Sequence, residues 1–241
     1  MNQILVSEKV YVTPNMKRKK KFFKIEFFLS VFLVCLLSSY YIYAEYDRNK
    51  SAEVSQEILS KMVFEEPEEK LEKIVVILNS AFEEEQEVDI TENDEIEDIP
   101  SVQMVTANDG TQYYTIARIS IPKINVNEAI LSETTTELLK KSPCKFWGAD
   151  PNQVGNFCIV GHNYRNTKFF SKVPTLEYGD IIEITDLSGK TVKYSVYDKH
   201  EVDPDDTSDT TQLTNGRTEI TLITCTNDSK RRVIVKATAI K

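Results

Sequence analysis

Four cysteines, two histidines and one adjacent pair of arginines are the residues of this 241-residue chain whose types suit nucleophilic chemistry. A thiolate is a strong nucleophile, an imidazole moves protons near neutral pH, and a guanidinium favours the thiolate or holds an oxyanion. Cys35 lies in a long apolar run, which leaves Cys144, Cys158 and Cys225 beyond it. An odd number there implies a free thiol unless the chain pairs with another. No CxxC, HExxH or Cys/His pair has the spacing of a zinc site, so no metal ligand set is expected.

His162 and Cys225 stand in similar local settings. His162 follows Gly161 at the end of the apolar run Phe157–Gly161 and precedes the turn-like Asn163-Tyr164-Arg165-Asn166. Cys225 closes the run Glu219–Thr224 and precedes the polar turn Thr226-Asn227-Asp228-Ser229. Strand ends beside loops hold a side chain on a rigid element yet leave it open to solvent. Arg231 and Arg232 open the next strand, and so short a turn makes the two strands hairpin neighbours, with an arginine near the cysteine. Periodicity alone leaves plainer readings open. A lone cysteine at a strand end also suits a small buried hydrophobe, paired arginines suit a solvated hairpin, and a histidine after glycine suits a surface turn. His200, in the charged stretch Tyr197–Glu201, reads as a surface histidine. Cys158 reads as core, and Cys144 receives no role.

These residues need strands to carry them, and the C-terminal half supplies short ones. Ile119 and Ile121 end a run at Pro122; Asp180–Thr185 follows Gly179. Val192, Tyr194 and Val196 alternate, as do Ile220 and Leu222, then Val233, Val235, Ala237 and Ala239. Period-two alternation in several short segments predicts a closed or sandwiched antiparallel sheet. One helix is expected near 134–141, where Glu137–Lys141 follows threonines able to cap it. The expected fold is a mainly β domain over residues 113–241 with one or two short helices.

Charge divides what precedes it. Residues 1–44 carry seven Lys and Arg against two acids, residues 45–112 five against twenty, and residues 113–241 seventeen against sixteen. The balanced last stretch gives no clustered basic face for nucleic acid. Six bases between Lys17 and Lys24 precede Phe27–Ala44, eighteen residues without a charge. About 20 apolar residues cross a bilayer as a helix, and the positive flank belongs on the cytoplasmic side. Residues 1–21 thus read as a cytoplasmic tail, 22–44 as a single-pass plasma-membrane anchor and all that follows as extracellular. A cleaved secretion signal shares the basic flank and apolar core. Here the run is long and ends in Tyr40, Tyr41 and Tyr43 rather than in a small-x-small cleavage site. Residues 45–112 read as an acidic stalk, with Val54, Ile58 and Met62 on a short helix and Leu71, Ile74, Val75, Leu78 and Phe82 on a longer one. Glu83–Asp98 holds ten acids and no base and reads as a solvated spacer.

Over residues 114–241 the chain resembles the sortase family. Thr221-Leu222-Ile223-Thr224-Cys225 is similar to its TLxTC nucleophile motif, and Gly161-His162-Asn163 to the segment that bears its histidine. Arg232-Val233-Ile234-Val235-Lys236-Ala237 is similar to the strand that opens with its arginine. Ile121-Pro122-Lys123-Ile124 and the stretch from Phe169-Phe170 to Tyr178-Gly179-Asp180 match further family segments in order. The resemblance implies an eight-stranded β-barrel with Cys225, His162 and Arg232 as the catalytic set. A one-residue register error would exchange Arg232 for Arg231. It implies a cysteine transpeptidase that cleaves an LPxTG-like sorting signal on secreted proteins and transfers them to a cell-wall amine. No cofactor is expected, and calcium dependence is left open. A hydrolase with the same three residues and a non-catalytic peptide-binding surface protein remain alternatives. Neither a second apolar run towards Lys241 nor an Asp-Pro-aromatic lid motif is found, which disfavours the pilus-polymerising type. The stretch between Val202 and Glu219 lacks room for the helical insertion of class B. Class D or class A is the closer resemblance.

Overall fold

The computed structural model describes residues 14–64, 102–164 and 168–240, and the chain falls into two compact units that part between Lys50 and Ser51. The first belongs to helix α1 (Pro14–Lys61). This helix holds an 18-residue window long and apolar enough to cross a membrane, with none of it buried. Phe27, Phe28, Phe32, Leu36 and Leu37 present their side chains outward. In water such a surface is unfavourable at about 25 cal/mol per Å², whereas in lipid it costs nothing.

The second unit begins with the last turns of the same helix. Val54, Ile58 and Met62 form the stripe expected from their four-residue spacing, and all three are buried in a cluster with Val105, Tyr113, Ala129, Leu131, Cys144 and Leu187. Residues 51–64, expected as a short helix of the stalk, include the end of α1 and pack in the same unit as the barrel. Polar groups pin the same face: Ser55 donates its hydroxyl to Glu128, and Gln56 Nε2 donates to the Asn127 carbonyl at 3.0 Å and to Glu128 at 3.1 Å.

The sheet also starts before residue 113. Strand β1 (Gln103–Thr106) pairs antiparallel with the opening of β2 (Gln112–Ile121). Only Val105 of β1 is buried, so the strand carries no alternation by which to recognise it. The expected helix at Leu71–Phe82 and the acidic run Glu83–Asp98 lie outside the described residues.

Past β2 come β3 (Val126–Leu131), α2 (Thr136–Leu139), β4 (Cys144–Gly148), β5 (Gly155–Val160), β6 (Ile181–Asp186), β7 (Thr191–Val202), β8 (Thr218–Cys225) and β9 (Arg232–Ala239). The Thr135 hydroxyl accepts from the Leu138 amide at 3.1 Å and caps α2, the helix expected near 134–141. The order β2-β3-β4-β5-β8-β9-β7-β6 returns to β2 through a β2–β6 ladder, which closes eight strands into a barrel with β1 as an added ninth. Alternate residues fill it: Ile119, Ile121, Phe157, Ile159, Ile182, Ile184, Tyr194, Ile220, Leu222, Val233 and Val235 share one core. The sheet is not wholly antiparallel, because β3 meets β4 and β5 meets β8 in parallel. Alternation reports which face a residue takes, not strand direction.

Candidate active site

The parallel contact between β5 and β8 sets two strand ends side by side. Val160 pairs with Ile223, and one residue on, the Gly161 amide donates to the Ile223 carbonyl at 3.1 Å. The Thr224 hydroxyl returns a bond to the Gly161 carbonyl at 2.8 Å. Extending this register by one more residue sets His162 opposite Cys225. Glycine is required at 161, because a Cβ there would stand 2.7 Å from the Phe170 ring. Beyond the strand, the Asn163 amide donates to the Cys225 carbonyl at 2.9 Å and to Asn227 Oδ1 at 3.1 Å. The histidine segment is thereby tied to the cysteine segment on both sides of His162.

The antiparallel β8–β9 hairpin brings the cation. Cys225 and Arg232 are paired residues, so their side chains rise from the same face, and Arg232 Nη1 stands 3.3 Å from Cys225 Sγ. Arg231 turns elsewhere: its Nη2 donates to the Glu201 carbonyl at 2.9 Å, and its guanidinium lies 3.8 Å from the Glu201 carboxylate and 3.7 Å from that of Asp203. Of the two adjacent arginines, Arg232 is therefore the one that faces the cysteine.

The other thiols differ in kind. Burial pushes Cys144 and Cys158 up to about 12, and both are enclosed. Cys225 is half-buried and free. His162 is half-buried, with its ring 5.1 Å from that of Tyr164. Burial first, and then the positive charge of Lys140, hold its pKa below the ordinary histidine value. Lys140 follows α2, an element whose influence on the histidine has no trace in sequence spacing.

His200 is not a plain surface histidine. Its Nδ1 lies 3.0 Å from Asp198 and its Nε2 2.8 Å from Asp209. The reason is positional: β7 faces the β7–β8 connection, which folds back over the sheet. Asn163 and His200 both take part in fixing the region, through partners distant in sequence that no local pattern reveals.

The closed β-barrel thus carries Cys225 and Arg232 on paired strand ends, with the segment that bears His162 bonded to the cysteine segment. The sequence profile of the sortase domain matches residues 119–240, half of the chain, and the chain belongs to the sortase family. It is 32% identical over 126 residues to sortase A of Bacillus anthracis, an alignment covering 50% of this chain and 57% of that protein. The chain thus spans just over half the length of that relative. Among solved structures it is similar to a Clostridium perfringens sortase D5 transpeptidase, at 36% identity and a TM-score of 0.49 over 53% of this chain and 79% of that one. It is likewise similar to sortase A from Corynebacterium diphtheriae, at 30% identity and a TM-score of 0.49 over 54% and 62%.

Proposed function

We propose that this chain is a membrane-anchored cysteine transpeptidase that cleaves an LPxTG-like sorting signal on secreted proteins and joins the new carboxyl end to a cell-wall amine. The observation that carries this reading is the 3.3 Å approach of Arg232 to the free Cys225 sulfur in a chain of the sortase family. The Cys225 thiolate attacks the scissile carbonyl and forms a C–S bond; the C–N bond then breaks, and the departing amine takes a proton from the His162 imidazolium. An incoming amine gives a proton to the now neutral His162, attacks the thioester and releases Cys225. Arg232 stands where it can favour the thiolate and hold the oxyanion or the substrate backbone.

The buried, Lys140-facing position of His162 favours the neutral ring, the form needed by the second half-reaction. The basic cluster from Lys17 to Lys24 beside the apolar window of α1 supports an anchor with its N-terminus in the cytoplasm and the barrel outside. Donor protein and wall amine both arrive at that outer face.

Incubating the full chain with an LPxTG peptide, with and without a glycine-terminated amine, tests the reading. We expect a new amide product that grows with amine concentration at the expense of the free acid. Free acid alone at every amine concentration identifies a hydrolase. Binding without any cleavage identifies a peptide-binding surface protein.

A further inference from the structure

The outer faces of β7, β9, β8 and β5 form a grid whose rows are fixed by strand register. The first row is Val202, Arg232 and Cys225; the second is His200, Ile234, Ile223 and Val160; the third is Asp198, Lys236, Thr221 and Cys158. The second row is an apolar strip at the foot of the nucleophile, half-exposed at Val160 and Ile223 and buried at Ile234. His200 closes the strip at the β7 side.

The connection from β7 to β8, residues 203–217, folds back over the third row and beyond. Asp209, in its single 3-10 turn (Ser208–Thr210), accepts from His200 Nε2 at 2.8 Å and lies 3.4 Å from Lys236 Nζ. The main-chain carbonyls of Asp209 and Thr211 accept from Asn156 Nδ2 at 2.9 and 3.2 Å, and Gln212 bonds the Asn156 main chain in both directions. The connection is therefore held one row away from Cys225 and Arg232 and leaves the apolar strip between them.

We propose that His200, gripped between Asp198 and Asp209, is a positioning residue that holds this connection as the fixed wall of the cleft receiving the acyl-donor peptide. The proposal rests on the transpeptidase reading above and adds to it the part that sets cleft width. Asp209 is the wall's only carboxylate bonded to both β7 and β9 among the described residues, so losing the His200 contact leaves Lys236 as its single ionic partner at the longer distance. Neither bond touches the reacting atoms. The expected signature is a rise in KM for donor peptide rather than a fall in kcat.

The clasp is also sensitive to pH. The charged groups facing His200 are Asp198 on its own strand, Asp206 and Asp209 on the connection and, through Asp209, Lys236 on β9. Lys199 and Glu201 are engaged elsewhere, with the Pro174 and Leu176 carbonyls and with Arg231. The Cys158 thiol, held at about 12, stays neutral. Burial opposes a charge on His200, but the carboxylates of Asp209 and Asp198 outweigh it and raise its pKa. The grip is complete below the ordinary histidine range and is lost as pH rises through the raised value.

The test uses the full chain in detergent, with amide hydrogen exchange of residues 204–216 read from pH 5 to 9 in the Cys225→Ala background. In that background, exchange corrected for its intrinsic pH dependence should rise with pH when His200 is present. It should be uniformly high in His200→Gln and uniformly low in His200→Arg, which keeps a cation between the carboxylates. With Cys225 intact, His200→Gln and Asp209→Asn should each raise KM for an LPxTG peptide about tenfold, the factor lost with one charge-assisted hydrogen bond, and His200→Arg should restore it. Exchange that ignores both His200 substitutions overturns the clasp. Exchange that follows them while KM stays constant overturns its role as the cleft wall. If the intact enzyme turns over no peptide while exchange still follows His200, it is the transpeptidase reading that falls.

Discussion

At the scale of single residues, the neighbourhood of Cys225 orders three substitutions. Arg232→Ala removes the only cation bonded to the sulfur among the described residues and should lower kcat/KM by about 10²–10³, the loss typical of one oxyanion-stabilising donor. Arg231→Ala, whose partners are Glu201 and Asp203, should stay within about threefold of the parent, since surface ion pairs contribute little. Steady-state kinetics on one peptide distinguishes the two, and the reverse order would exchange their roles. The pH profile tests His162. Burial and Lys140 depress its pKa, so the imidazolium is the minor form at neutral pH and the acid limb of kcat/KM should lie below about 6.5. Removing the Lys140 charge raises the histidine pKa. Lys140→Gln should therefore move that limb to higher pH and leave the alkaline limb in place. Cys225, His162 and Arg232 stood out in the sequence through their resemblance to family motifs, since strand position alone left plainer readings open for each. The influence of Lys140 on His162 and the bonds of Asn163 to Cys225 and Asn227 have no such signal, because they act across the fold rather than along the chain.

At the scale of elements, the docked end of α1 offers a separate test. Ile58 is fully buried against the barrel, and Ile58→Ala should cost about 2–4 kcal/mol in denaturant unfolding of the full chain. Glu128 faces Ser55 and Gln56 in the same interface. Burial raises its pKa, and the hydrogen bonds from Ser55 and Gln56 only partly oppose this. A carboxyl raised in the folded state is stable there as the neutral acid, and that stability is lost as pH rises through its folded pKa. Glu128→Gln keeps a bonded neutral group, so it should raise the melting temperature at pH 7, and the gain should shrink towards pH 4. A gain independent of pH would locate its origin elsewhere. The four-residue spacing of Val54, Ile58 and Met62 announced an apolar stripe, but a stripe does not name its partner. Residues 51–64 therefore read as stalk in the sequence, because the residues that cover them come from strands distant along the chain. β1 was hidden for a simpler reason: one buried valine makes no pattern. The parallel β5–β8 contact, which aligns the strand ends before His162 and Cys225, was equally silent, because alternation is the same in both directions.

At the scale of the whole molecule, the proposed anchoring by an apolar helix and a barrel with one accessible thiol make a joint prediction. Cys144 and Cys158 are enclosed, while Cys225 is half-exposed. A membrane-impermeant maleimide applied to intact cells should label the protein once, at Cys225, and should fail on Cys225→Ala. Labelling only after the cells are opened would place the barrel on the inner side. Closure, strand count and the mainly β character were readable from the family motifs and the short alternating runs, and the barrel that closes through β2 and β6 agrees with them. The chemistry of that barrel is tested most directly by intact-mass measurement of the full chain quenched during turnover of an LPxTG peptide. We expect an adduct equal to the acyl fragment, mapped to Cys225, absent in Cys225→Ala and discharged by added amine. Cleaved peptide with no adduct on Cys225, or an unchanged adduct in Cys225→Ala, would contradict the assignment.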